Sequence, residues 1–187
     1  LNMLAANVSQ AFDFTGPAFA LDTACSSALA ALHEAVWHLR AGLVDAALVG
    51  GVYVQLDPIM MVCFSRVGAI SFTDECRPFQ VGADGFVLGE GVGMIVVKRL
   101  ADAMAAGDRV LAVIRGIGMN NDGRGAGPLT PLASGQVAAM TRAWADAGIA
   151  PATVGLLEAH GTATPAGDAV ELDSLTQFFG THAAGVV

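Results

Sequence analysis

The sequence predicts a mixed α/β domain, and three observations carry that reading. Apolar runs of strand length alternate along the chain with segments whose apolar residues recur at helical spacing. Hydrophobic residues make up 54% of the 187 residues and charged residues 14%, a balance that excludes a disordered chain or a highly solvated coiled coil. Ala (35) and Gly (23) together fill about a third of the positions, and small residues at that density let backbones approach closely in packed layers.

Taken in order, residues 2–11 predict a short helix. After the Gly16-Pro17 turn, residues 18–22 read as a buried strand. Residues 26–41 predict a helix, with Leu29, Leu32, Val36 and Leu39 on one face and Gly42 where a helix terminates. Residues 45–54 are apolar on both faces, as in a strand covered by helices. Pro58 opens a predicted helix that ends at Arg66. Residues 67–90 are irregular and Gly-rich. A strand is predicted over 91–100, a short helix over 101–106 and a long strand over 110–119. Residues 120–132 form a loop punctuated by Gly123, Gly125, Gly127 and Pro128. An amphipathic helix over 134–147 stops at Gly148, a strand covers 154–159, and a helix covers 167–179. Strands alternating with helices imply a mixed sheet with right-handed crossovers.

The net charge is −8 and the only lysine is Lys98. With no basic cluster, neither a nucleic acid nor an anionic membrane is an expected partner. No apolar run reaches the roughly 18 residues of a membrane span, and no basic, apolar leader opens the chain. Mean hydropathy is +0.58, and part of that apolar excess is expected to be an interface. Three cysteines without a CxxC pair support neither zinc nor a disulfide scaffold, and the expected location is a reducing cytoplasm.

Two residues stand out chemically. Cys25 lies in Leu21-Asp-Thr-Ala-Cys-Ser-Ser27, between a predicted strand and an Ala-rich helix. A thiol at a helix N-terminus meets the positive end of the dipole, which favours the reactive thiolate. A small buried cysteine is the other reading of the same residues. His160, in Leu156-Leu-Glu-Ala-His-Gly-Thr-Ala-Thr164, begins a loop after an apolar strand. It reads as a group at a ligand-binding strand end or as a satisfied core histidine. Cys63, among Met60, Met61, Val62 and Phe64, is expected in the core, and Cys76 in a polar loop. His33 and His38 are five apart on one helix and form no metal pair; His182 carries little information. The glycines of Gly89-Glu-Gly-Val-Gly93 precede a strand, so close β packing is favoured over a phosphate cradle.

Asp22-Thr-Ala-Cys-Ser-Ser27, Arg77-Pro-Phe79 with Ala83-Asp-Gly-Phe86 and Gly89-Glu-Gly91, and Glu158-Ala-His-Gly-Thr162 occur in that order. Together they resemble the β-ketoacyl synthase (ketosynthase) domains of type I polyketide synthases, over nearly the whole chain. The resemblance implies a thiolase-like layered α/β fold (α-β-α-β-α) and a homodimer. It implies a decarboxylating Claisen condensation of an acyl-cysteine thioester with a malonyl-type extender. Cys25 would be the nucleophile that takes the acyl chain. His160 would be the first of two histidines that assist decarboxylation and stabilise the enolate. Thr162 and Thr164 would contact the phosphopantetheine arm of an acyl carrier protein. The implied partners are that carrier, a second copy of the chain and other polyketide synthase domains. No cofactor or metal is implied for this segment itself.

The residues agree with that chemistry. A soft thiol suits a thioester carbonyl, and an imidazole N–H suits an enolate oxygen in a site shielded from water. The family's second active-site histidine and its second oxyanion-hole segment are not found in residues 1–187, so the chain is expected to be part of a ketosynthase domain and inactive in isolation. Ala163 stands where many members carry Gly. A non-condensing, ketosynthase-like module that supports dimerisation or holds acyl chains is the alternative, which the presence of Cys25 with His160 disfavours.

Overall fold

A computed structural model describes residues 2–125, 127 and 129–180. The chain separates into two compact units, Leu1–Tyr53 with Gly91–Val113, and Val54–Glu90 with Ile114–Val187.

In the first unit, helices α1 (Asn2–Phe12), α2 (Ser27–Arg40) and α4 (Leu100–Ala106) accompany strands β1 (Ala46–Tyr53) and β2 (Gly91–Lys98). β1 and β2 run antiparallel, from Ala46 opposite Lys98 to Tyr53 opposite Gly91. One face of this pair receives α2, with Ala28 against Gly51, and Ala30 and Leu39 of α2 and Val49 of β1 are buried. Glycine sets how near the layers lie. A β-carbon on Gly51 would stand 3.0 Å from Ala28 Cβ, and one on Gly50 would stand 1.9 Å from the Gly93 carbonyl oxygen. The close β packing expected of Gly89, Gly91 and Gly93 is corrected: a β-carbon on any of them meets nothing within 4 Å, and the glycines that packing requires are Gly50 and Gly51.

The end of α2 is built for a sharp turn. Gly42 adopts φ +68°, its N–H donates to the Leu39 carbonyl, and the Leu43 N–H donates to the His38 carbonyl at 3.0 Å. This is a Schellman closure. Arg99 ties the same region together. Its guanidinium donates to the Leu39 and Val44 carbonyls and to the Asp45 and Asp102 carboxylates. The hydrogen bond to Asp45, then that to Asp102, holds its pKa above the usual arginine value. The opposite face of the strand pair is apolar and exposed, with Val92 at 68% and Val96 at 74% beside Leu48, Val52 and Met94. The apolar excess of the composition thus lies partly on one continuous sheet face.

The second unit holds α3 (Ile59–Arg66), α5 (Ala133–Ala147), a single 3-10 turn at Pro151–Thr153, and α6 (Pro165–Phe179). Trp144 of α5 meets the rings of Phe178 and Phe179 of α6 edge-on, at 5.2 and 5.5 Å. Ser174, fully buried, donates to Gln136 Oε1 at 2.6 Å. The extended segment 114–119 lies on α5 backbone to backbone. β-Carbons on Gly116 and Gly118 would come within 2.4 and 2.5 Å of main-chain atoms at Ala139, Ala143 and Ala147. Ile117 N–H donates to Asp146 Oδ2 at 2.9 Å.

The helices fall where the periodicity places them, but three expected strands do not form. Residues 18–22, 110–119 and 154–159 make no ladder, and β1 with β2 is the only strand pair among the described residues. That pair is antiparallel, so the described residues contain no parallel crossover. β-Branched, alternating residues favour extended backbone, but a strand also needs a neighbouring edge to accept its hydrogen bonds. Segment 114–119 meets a helix instead. Cys63 is also corrected: it is exposed, and α3 buries none of its residues. Six of the eight side chains of α3 are apolar, but no other helix or strand among the described residues covers the Cys63 face. Part of the 120–132 loop, including Pro128, and His182 lie outside the described residues.

Replacing Gly50 by Ala in the domain that contains this chain is expected to cost about 1–3 kcal/mol, because the β2 backbone must move. Gly89→Ala, where a β-carbon meets nothing within 4 Å, should change stability by less than about 0.5 kcal/mol. Urea unfolding of both variants checks the contrast.

Candidate active site

Cys25 belongs to the first unit, and His160, Thr162 and Thr164 share one loop of the second. Cys25 sits immediately before Ser26, the N-cap of α2, and is exposed. The turn that delivers it is hydrogen-bonded within itself. Ala24 N–H donates to Asp22 Oδ1 at 2.8 Å, and Thr23 N–H donates to Ser27 Oγ at 2.9 Å. Ser27 Oγ donates in turn to the Ala24 carbonyl at 2.6 Å. Ser26 Oγ donates back to Thr23, so no side chain caps the first turn of α2. Ala24 is left-handed at φ +56°, a conformation an L-residue adopts only when its surroundings enforce it. The left-handed residue thus stands directly before the thiol, which itself directly precedes the N-cap of α2. Cys63 and Cys76 are exposed too, so access alone does not single out Cys25.

His160 is exposed at the head of a loop whose backbone is held from α6. Glu171 accepts the N–H of His160 at 2.6 Å through Oε1 and that of Gly161 at 2.9 Å through Oε2. One carboxylate thus fixes two consecutive peptide groups, with charge-assisted bonds. Gly161 takes φ +54°, and Ala163 follows at φ +57° with no exposed surface. The Ala163 carbonyl accepts the Gly85 N–H at 2.9 Å, which joins this loop to the Ala83-Asp-Gly-Phe86 motif. Ala163 is therefore an L-residue in a conformation that favours glycine.

Thr162 Oγ1 and Thr164 Oγ1 lie 3.2 Å apart. Thr164 is the N-cap of α6 and accepts the Gly167 N–H, with Pro165 in the first helical turn. A β-carbon on Gly167 would stand 2.4 Å from Thr164 Oγ1, so glycine there keeps the two hydroxyls in place. Beside the loop, Asp84 accepts from Ser71 Oγ and Phe72 N–H and lies 3.8 Å from Arg77. The Ser71 hydrogen bond chiefly holds the Asp84 carboxyl below its usual range. The motifs around residues 77–86 and 158–164 thus meet in one unit.

Two residues escape a reading of motifs: Glu171, and Asp168, whose buried carboxylate accepts the Phe79 N–H at 2.6 Å. Their signal is positional. Acids one and two turns into a helix that starts where the His160 loop ends are within reach of that loop's amides. His33 and His38 remain half-buried helix residues near Glu34. Among the described residues no three metal-capable side chains cluster, and no helix is long and apolar enough to cross a membrane.

A thiol thus follows a left-handed kink at the start of α2, and an imidazole sits on a carboxylate-held loop before α6. Residues 1–103 match the N-terminal domain and residues 111–187 the C-terminal domain of β-ketoacyl synthase. The chain belongs to the β-ketoacyl synthase family. It is 51% identical over 173 residues to a mycocerosic acid synthase-like polyketide synthase of Mycobacterium tuberculosis, covering 92% of this chain and 8% of that one. It is 48% identical over 179 residues to a phthioceranic/hydroxyphthioceranic acid synthase of Mycobacterium bovis, covering 96% and 8%. A Streptomyces albus oxazolomycin ketosynthase domain superposes with TM-score 0.93 at 44% identity, covering 98% of this chain and 32% of that one. The ketosynthase from module 6 of the Bacillus subtilis bacillaene synthase gives TM-score 0.92 at 39% identity, covering 95% and 32%. The fold is the thiolase-like α/β fold of ketosynthase domains, and the chain spans about a third of the solved examples.

The left-handed Ala163 generates a quantitative expectation. Ala163→Gly relieves roughly 1–2 kcal/mol of backbone strain but gives up about 0.8 kcal/mol of buried methyl and frees the unfolded chain by up to about 1 kcal/mol. Its net effect should stay within about 1 kcal/mol of zero. Ala163→Val adds β-branching and volume at a fully buried left-handed site and should cost more than about 2 kcal/mol. Thermal unfolding of the two variants separates these outcomes.

Proposed function

We propose that residues 1–187 are part of a ketosynthase domain of a cytoplasmic polyketide synthase, in which Cys25 and His160 act in a decarboxylating Claisen condensation. The observation that carries this reading is the kinked Cys25 turn, in a β-ketoacyl synthase chain that also holds His160 by two consecutive peptide groups. In the first half-reaction the Cys25 sulfur attacks the carbonyl of an acyl thioester on the phosphopantetheine of an acyl carrier protein. The carrier's C–S bond breaks, the carrier thiolate leaves and takes up the thiol proton, and the acyl group rests on Cys25. In the second, a malonyl thioester loses CO2, and the imidazole of His160 donates a hydrogen bond to the enolate oxygen. The enolate carbon then attacks the acyl-Cys25 carbonyl, the C–S bond to Cys25 breaks with its electron pair on sulfur, the thiolate takes up a proton from solution to regenerate the thiol, and the chain is longer by two carbons. Each exchange replaces one thioester with another or with a C–C bond driven by CO2 release.

Thr162 and Thr164 fit a role at the phosphopantetheine arm. Thr164 uses an oxygen lone pair on the Gly167 N–H and keeps a hydroxyl proton to share. Acyl carrier protein, a second copy of the chain and other synthase domains complete the assembly. The family's second histidine would come from outside residues 1–187.

Two measurements on the full synthase test the reading. Limiting alkylation followed by peptide mapping should label Cys25 ahead of Cys63 and Cys76, and Cys25→Ala should abolish acyl loading from an acyl carrier; preferential labelling of Cys63 would contradict it. His160→Ala should leave loading intact while malonyl decarboxylation falls by about 100–1,000-fold, the cost of one oxyanion donor. Equal losses in the two half-reactions would instead make His160 the activator of the thiol.

A further inference from the structure

We propose that Asp168 is a positioning residue for His160, acting through the backbone of Phe79; this rests on the ketosynthase reading above. Asp168 lies in the first turn of α6 and is only 6% exposed. Its Oδ2 reaches across 89 positions of sequence to accept the Phe79 N–H at 2.6 Å, a charge-assisted bond. Capping does not explain this carboxylate, because Thr164 already caps the helix. Phe79 is left-handed at φ +59°, a region that bulky side chains almost never occupy unless held there.

The turn so held touches the His160 loop. A β-carbon on Gly161 would stand 3.3 Å from Pro78 Cβ and 3.6 Å from Phe79 Cε2. On its other flank the same loop is fixed by Glu171, which accepts from His160 and Gly161. Both grips start on α6, three residues apart. Glu171 sets the loop's distance from the helix, and Asp168 sets the wall of Pro78 and Phe79 against which it rests. Without the Asp168 carboxylate, Phe79 relaxes to negative φ, its ring leaves Gly161, and the loop gains room to shift. A donor displaced by about 1 Å from a developing charge loses on the order of a hundredfold in rate. Acyl loading depends on Cys25, which the self-bonded turn of the first unit carries, so it is spared.

The experiment uses the full-length synthase with acyl and malonyl carrier proteins as substrates. Acyl loading is read by intact mass, and decarboxylation by CO2 release, for Asp168→Ala, Asp168→Asn and Phe79→Ala. Asp168→Ala should lower decarboxylation by about 10–100-fold with loading within about threefold of the unsubstituted protein. Asp168→Asn retains an oxygen that accepts the Phe79 N–H and should recover decarboxylation to within about fivefold. Phe79→Ala removes the ring that meets Gly161 and should show the same split as Asp168→Ala. Equal loss in both half-reactions, unchanged decarboxylation in Asp168→Ala, or no recovery in Asp168→Asn overturns the proposal. Should Asp168→Ala fail to fold, unchanged decarboxylation in Phe79→Ala overturns it as well. An unsubstituted synthase that neither loads nor decarboxylates refutes the ketosynthase reading itself, whatever Asp168 does.

Discussion

Two consecutive peptide N–H groups, those of His160 and Gly161, donate to a single carboxylate, and much of the second unit follows from keeping Glu171 where it can accept both. The carboxylate must project from a rigid support, and α6 supplies it. The helix begins at Pro165, capped by Thr164, so the loop it holds and the helix that holds it are nearly contiguous. Its far end is locked against α5 by Ser174 with Gln136 and by Trp144 with Phe178 and Phe179. Peptide N–H groups held this way are satisfied without water.

The two candidate groups, Cys25 and His160, share one local arrangement. Each precedes a helix start, and each neighbours residues in the left-handed region: Ala24 beside Cys25, and Gly161 and Ala163 after His160. Such conformations store strain that local hydrogen bonds must hold. Around Cys25 the holders are Asp22 and Ser27; around His160 they are Glu171 and the Gly85 amide. The two sites thus keep their local geometry through short-range bonds, while packing fixes the helices that carry them.

Packing here is a matter of small residues. Gly50 and Gly51 admit α2 and β2 at backbone distance, and Gly116 and Gly118 seat an extended segment on the Ala139, Ala143 and Ala147 ridge of α5. The abundance of Ala and Gly is used at these contacts. Part of the exposed apolar surface, the outer face of β1 and β2, is a sheet face without a layer over it among the described residues.

The helices were legible in the sequence because 3.6-residue periodicity, caps and Gly stops are local signals; residues 27–40 and 133–147 stand within a residue of their expected bounds. The candidate groups Cys25, His160, Thr162 and Thr164 were legible as motifs, since each lies in a short contiguous stretch. Residues 18–22, 110–119 and 154–159 were misread, because extended backbone is a local property and a ladder is not. Asp168 and Glu171 carry no motif at all: each acts on an amide that only the folding of α6 against a distant or adjoining loop brings within 3 Å. Residue type and local spacing by themselves marked out Cys25, His160, Thr162 and Thr164 as candidates. Tertiary structure alone decided which backbone the buried Asp168 carboxylate holds, because a hydrogen bond between residues 79 and 168 depends on a closure of the chain that no local pattern encodes.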